Sequence, residues 1–165
     1  MPVEGRAIRI RFLPALTASR DRLYSDHPTG RAVYAAAFVR KREIVLDEEL
    51  LKQPRELARI LTHELFHFAW VRLANRNRVS FEALLLEERR KNARGELGWS
   101  AASRKKASRR HRRAWREYLC ESFCDTAAWL YSGVSRHPEF TLAPRHRSRR
   151  RAWFHAAFPS GIIPI

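Results

Sequence analysis

The sequence predicts an α+β fold: a small mixed or antiparallel sheet packed on one buried helix, followed by a mainly helical lobe. Three observations carry that prediction. Short runs of strand-like alternation occupy the first third of the chain, glycine- and proline-free stretches with helical apolar spacing dominate the remainder, and 165 residues suffice for one domain with a real core. Two independent domains would be cramped, so we expect a single domain, with 1–77 holding the sheet and buried helix and 78–165 the helical lobe.

The elements follow in order. Ala7 to Leu13 alternates apolar and charged residues like a half-buried strand, and Ala32 to Val39 and Glu43 to Leu46 form two more, bent back near Arg40-Lys41-Arg42. Pro54 and Glu56 suit a first helical turn, and Arg55 to Ala74 contains no glycine or proline. Ile60, Leu61, Leu65, Phe66, Phe68, Trp70 and Val71 make this helix apolar nearly all round, which predicts burial. Ser80 to Ala93 reads as a helix capped by Ser80, with Leu84 and Leu85 inward and Gly95 as its end. Trp115 to Tyr131 repeats apolar residues at helical spacing and stops at Ser132-Gly133. Pro144 to Phe158 is a terminal helix halted by Pro159, and the apolar residues Ser160 to Ile165 are expected to pack down.

The chemistry sits in the buried helix, at His63-Glu64-Leu65-Phe66-His67. Four residues apart on one face, two imidazoles have Cβ atoms about 5–6 Å apart, close enough to grip one zinc. Glu64 can then hold a water beside the ion, which is the hydrolytic core of a zinc metallopeptidase. Two histidines and a glutamate in so apolar a helix are costly to bury without partners, and a metal is a partner for all three.

Catalytic zinc takes three protein ligands and leaves one position for water. A metzincin needs glycine and a third histidine soon after the second, but Trp70 and Leu73 occupy those places, so that branch is excluded. The remaining common solution is a glutamate from a later helix. Glu121 offers one, with Asp125 four residues on and facing the same way, while Glu87 and Glu88 stand as alternatives. Two carboxylates against a core face would raise each other's pKa unless cations intervene.

The pair H-E-x-x-H and Glu121-Ser122-Phe123-Cys124-Asp125 resembles the gluzincins, whose metal helix is followed by a helix carrying E-x-x-x-D; it is minigluzincin-like or similar to the ImmA/IrrE-type regulatory peptidases, although no helix-turn-helix partner domain is recognisable here. The resemblance covers the two helices and the strands before them, with a longer interval between than in compact members. It implies that Glu121 is the third zinc ligand and that Asp125 accepts a hydrogen bond from the non-ligating nitrogen of a zinc histidine, His63. It further implies that the strand preceding the metal helix binds substrate as an added strand; Val33 to Val39 is the candidate rim, although its small alanines equally suit close packing under a helix. A basic SprT-like peptidase is a weaker match, because its third histidine after the helix is missing here.

The expected mechanism is metal-assisted hydrolysis of a peptide bond, with zinc held by His63, His67 and Glu121 lowering the pKa of a water and Glu64 serving as general base. Tyr118, Tyr131, His137 or an arginine is a candidate for steadying the oxyanion.

Charge is the second feature: 33 basic against 17 acidic residues, a net charge of +16 and a pI near 11.3. The densest run is Arg104 to Arg116, a basic rod if helical, which would suit phosphates, acidic protein or an anionic surface. Only five of the 33 basic residues are lysine, so compositional bias explains part of the charge. The rival function is a basic nucleic-acid-associated or regulatory protein whose metal site is structural or vestigial. Cys120 and Cys124, on one helix face, read as small core residues. With no apolar signal core near Met1, no stretch of membrane-spanning length and so few cysteines, a reducing cytoplasm is the default location.

Overall fold

The computed structural model describes residues 2–20, 22–26, 30–109 and 111–165, with the backbone alone of Arg109. Its elements in chain order are Val3–Glu4 (β1), Arg9–Leu13 (β2), Thr17–Ser19 (β3), Arg22–Tyr24 (β4), Arg31–Ala32 (β5), Ala35–Phe38 (β6) and Glu43–Asp47 (β7), then Pro54–Arg72 (α1), Asn75–Arg90 (α2), Trp99–Lys105 (α3), Arg112–Tyr131 (α4) and Pro144–Ala157 (α5), and finally Ile163–Pro164 (β8). The fold is α+β, as the alternation and helical spacing predict.

The sheet beneath α1 has the order β2-β7-β6, with β2 parallel and β6 antiparallel to β7. It is therefore mixed. β7 is central and reads Ile44-Val45-Leu46-Asp47 with every one of these residues buried, as a strand covered on both faces must be. Its antiparallel return to β6 is made by a 3-10 turn over Val39–Lys41 closed by Arg42 in the left-handed region, at φ 50. The crossover that lets β2 run parallel to β7 contains a small antiparallel sheet, β4-β3-β5, which the sequence pattern does not announce. β2 itself starts two residues later than its alternation suggests and is mostly exposed, Ile10 included, because it lies at the sheet edge. Asp47 is buried and turned to backbone use: its carboxylate accepts from Leu16 N at 2.8 Å and from Glu49 N at 2.9 Å, anchoring the small sheet and the 3-10 turn that leads to α1.

Pro54 occupies the first turn of α1, where its missing N–H costs nothing. The helix buries Ile60, Phe66, Phe68 and Ala69 together with Arg59, Thr62, His63 and Glu64, although Val71 near its end is exposed. Ala35 and Ala37 of β6 lie against this core, and their size lets α1 approach the strand closely.

Three expectations need correction. Ala32 to Val39 is not one strand: Ala32 ends β5, paired with β3, and only Ala35–Phe38 forms β6, paired with β7. α2 begins at Asn75, so Ser80 is an interior residue rather than a cap, its hydroxyl donating to the Asn77 carbonyl at 3.0 Å. The run Arg104 to Arg116 is not one rod: α3 ends at Lys105, a 3-10 turn covers Ala107–Arg109, and α4 starts afresh at Arg112. Arg110 and the Arg109 side chain lie outside the described residues.

One apolar core runs from the sheet through the helices. Phe66 of α1, Phe123 of α4 and Phe154 of α5 meet at ring distances of 5.0–6.2 Å, and Ile163 and Ile165 close it from the chain end, where β8 pairs in parallel with β1. Within the helical part a charged cluster is fully enclosed. Arg150 of α5 donates to Glu88 of α2, to Glu96, and to the hydroxyls of Ser122 and Thr126 on α4; Lys105 and Tyr118 complete the shell of Glu96 at 2.7 and 2.5 Å. Among the described residues no helix is long and apolar enough to cross a membrane.

Candidate metal centre

His63, Glu64 and His67 stand on the face of α1 that opens into a cavity of about 500 Å³. One wall is the chain from Arg31 through Ala37, including edge strand β6; the other is Trp99, Ser100 and Arg104 of α3, with Glu121 and Asp125 of α4 at the floor beside the histidines. The imidazole centroids are 5.0 Å apart and their planes cross at 74°. This is the arrangement that i, i+4 spacing on a straight helix imposes.

The helix with the later carboxylates brings them to the same place. Glu121 Oε2 lies 3.2 Å from His63 Nε2, and Asp125 Oδ1 lies 2.7 Å from Nδ1 of the same ring. One turn of α4 thus holds both nitrogens of His63. His67 is flanked likewise: Nδ1 meets Cys120 Sγ at 3.5 Å and Nε2 is 4.0 Å from Glu64 Oε2. In both rings, then, Nδ1 is met by α4 and Nε2 is left toward the acidic groups of the cavity. The alternative glutamates are elsewhere. Glu87 pairs with Lys91 and Arg149 at the surface, and Glu88 is enclosed with Arg150.

Electrostatics follow from these contacts. Burial works against ionisation of Glu121, but the hydrogen bond to His63 and the positive charge of His67, His63 and Arg104 outweigh it and hold its pKa at about 2. The cations that a buried carboxylate pair requires are therefore present. Burial alone would depress both imidazoles, yet their acceptors reverse it: Asp125 and Glu121 lift His63 well above 6.5, and Cys120 lifts His67. Desolvation pushes the Cys124 thiol well above its ordinary range, while Cys120, hydrogen-bonded to Cys124 and facing His67, is drawn down.

Two donor sets share the histidines. Donor atoms of His63, His67 and Cys124 lie within 4.8 Å of one another. The second set replaces Cys124 with Glu121. Cys124 is completely buried, is held protonated by its surroundings and does not line the cavity; Glu121 is ionised and does. An ion reachable by water and substrate belongs with the carboxylate. Two imidazoles and a carboxylate, with Asp125 behind one ring and Cys120 behind the other, have the donor chemistry that zinc takes, while the atoms gathered within 4.8 Å of one another are those of His63, His67 and Cys124.

Several supporting groups carry no signature in the sequence. Gly98 precedes α3, and a Cβ there would come within 2.3 Å of the Asp125 carboxylate, so glycine is what lets that carboxylate sit against the chain. Asp125 Oδ2 also accepts from Ala101 N at 2.8 Å, in the first turn of α3. Glu139 accepts from Trp99 N at 2.7 Å and from Arg59 at 3.2 Å, tying α3 to α1 across the cavity rim. Of the groups suggested for the oxyanion, Tyr118 is bound to Glu96, Tyr131 stacks on Phe66 and His137 pairs with Glu56; the cavity is lined instead by Arg31, Arg59 and Arg104.

Compared with protein-family models, with curated proteins and with solved structures, the chain matches none.

Proposed function

We propose that this chain is a zinc-dependent metallopeptidase of gluzincin type that hydrolyses peptide bonds. The observation that carries the reading is the convergence on His63: a ligand-capable carboxylate at 3.2 Å from one ring nitrogen and an orienting carboxylate at 2.7 Å from the other, both from a helix far along the chain. A neutral core histidine donates through one nitrogen only, so two carboxylates on one ring call for either a second proton or a cation at Nε2, and a packed core histidine needs no cavity.

His63, His67 and Glu121 would hold the metal. When bound, zinc supplies Lewis-acid polarisation of a carbonyl and activation of water. Glu64, on the same face and opening into the cavity, accepts the proton of the attacking water and returns it to the leaving amine. Asp125 keeps the His63 proton on Nδ1 and so leaves Nε2 unprotonated for the metal. β6 is the edge of its sheet and lines the cavity, which favours an extended peptide laid alongside it as a further strand. Arg104, 3.6 Å from Glu121 and partly exposed, and Arg31, over the Trp99 ring, are the arginines of the lining available to face developing negative charge; Arg59 is engaged by Glu56 and Glu139.

The rival reading, a basic nucleic-acid-associated protein, draws on net charge. The densest basic run supports it weakly, because Arg104, Lys105 and Arg113 already face Glu121, Glu96 and Glu117.

Metal analysis of the purified protein is the test. About one zinc per chain is expected, lost in His63→Ala, His67→Ala and Glu121→Ala. Glu64→Gln should keep the zinc while cleavage of an unstructured peptide falls by about 10²–10⁴-fold, the usual share of a general base. Protein that takes up no zinc from metal-replete buffer would sink the reading.

A further inference from the structure

The histidines are held unequally. Asp125 grips His63, whereas the acceptor behind His67 is a sulfur: Cys120 Sγ at 3.5 Å from Nδ1. A ring that gives Nε2 to a metal carries its proton on Nδ1, so in the loaded protein that proton points at Cys120. Cys120 is only half-buried, and Cys124 lies one turn further along α4. Glu121 sits in the turn between the two cysteines.

We infer that Cys120 is the positioning partner of His67 and that its oxidation by a peroxide unloads the metal. The inference rests on the metallopeptidase reading and gives that site a redox control. In the first step the sulfur attacks one peroxide oxygen; the O–O bond breaks, Cys–SH becomes Cys–SOH, and the peroxide is reduced to water or alcohol. In the second, Cys124 gives its proton to the departing hydroxyl as its sulfur attacks the Cys120 sulfur; the S–O bond breaks and one water leaves as the S–S bond forms.

Each product disturbs the centre for a geometric reason. Sulfur committed to a new bond is a poorer acceptor for the His67 Nδ1–H. A disulfide also needs Cβ atoms about 3.8 Å apart, whereas helix neighbours at i, i+4 stand about 5–6 Å apart. The turn that must tighten is the one that carries Glu121, so strain falls on a ligand as well as on the partner of another. Neither consequence would follow from cysteines elsewhere on α4.

The test loads the whole protein with zinc, adds hydrogen peroxide, and follows zinc with a metallochromic chelator while free thiols are counted. Release of the zinc in step with thiol loss is expected, with reloading after dithiothreitol and fresh zinc. Cys120→Ala should hold zinc about 10–100-fold more weakly, the usual cost of losing such a partner. Cys120→Ser, whose hydroxyl can accept in place of sulfur, should recover much of that affinity and keep its zinc under peroxide. If Cys120→Ala binds zinc as tightly as the wild type, or Cys120→Ser releases it as fast under peroxide, the inference is overturned. Should Cys120→Ala fail to fold, the Cys120→Ser comparison decides alone. Wild-type protein without zinc overturns the metallopeptidase reading itself, a result distinct from either.

Discussion

Single atoms decide this site. Asp125 acts on His63 only because its carboxylate lies flat against position 98, where any Cβ would come within 2.3 Å of it. Gly98→Ala is therefore expected to push Asp125 aside without touching a ligand. Zinc affinity measured by competition should drop about 10–100-fold, as when an orienting partner is lost, and Asp125→Ala should drop it similarly. The double variant should then be little worse than either single one, since both remove the same contact. Additive losses would mean that Gly98 matters for some other reason.

Among the elements, α4 supplies Cys120, Glu121 and Asp125 to the candidate site and is held by more than apolar packing. Ser122 and Thr126, one residue after Glu121 and one after Asp125, both accept from Arg150, so the buried charge cluster touches the same two turns that supply the site. Arg150→Met would leave Glu88 enclosed without its cation and Glu96 with Lys105 alone, and should cost about 3–5 kcal/mol in denaturant unfolding. The cluster also sets a pH response. Burial opposes ionisation of Glu96, but Arg150, Lys105 and Tyr118 hold its pKa below the ordinary 4.5. A depressed carboxylate binds protons more readily in the unfolded chain, so its stabilising contribution is complete above pH 4.5 and lost as the pH falls toward the folded value. Urea midpoints of the metal-free protein should fall with acidification in that window, and Glu96→Gln should flatten the slope while lowering stability at neutral pH. An unchanged slope would remove Glu96 from acid sensitivity.

At the scale of the molecule, the three proposed ligands come from two helices, so a bound metal would clamp the α1 and α4 parts of the fold together. Zinc at 1,000 times its dissociation constant would add about 4 kcal/mol, which for a chain of this size raises the melting temperature by roughly 8–16 °C. Calorimetry with and without a chelator checks this, and His63→Ala should show no such difference. The charge of +16 belongs to the same scale. If it neutralises phosphates, affinity for duplex DNA falls steeply with salt; with three of the eight basic residues of the densest run paired to carboxylates, a slope shallower than the whole run would give is expected.

What the chain determined by itself was local. The spacing of His63, Glu64 and His67 on a proline-started, glycine-free helix sets one face of a metal centre, and the recurrence of apolar residues from Trp115 to Tyr131 places Glu121 and Asp125 on one side of another helix. Periodicity records which residues share a face. It does not record which faces meet, so only the packing of α4 on α1 shows that Glu121 stands beside His63 while Glu88 is engaged by Arg150. The start of α2 was misread because Ser80 has cap chemistry while Asn75, without a side-chain cap, opens the helix. The basic rod was misread because like charges at helical spacing look continuous until the chain turns at Ala107–Arg109. Gly98, Glu139 and the sulfur behind His67 act across the fold, through space and not through spacing, and only the tertiary structure brings them to the site.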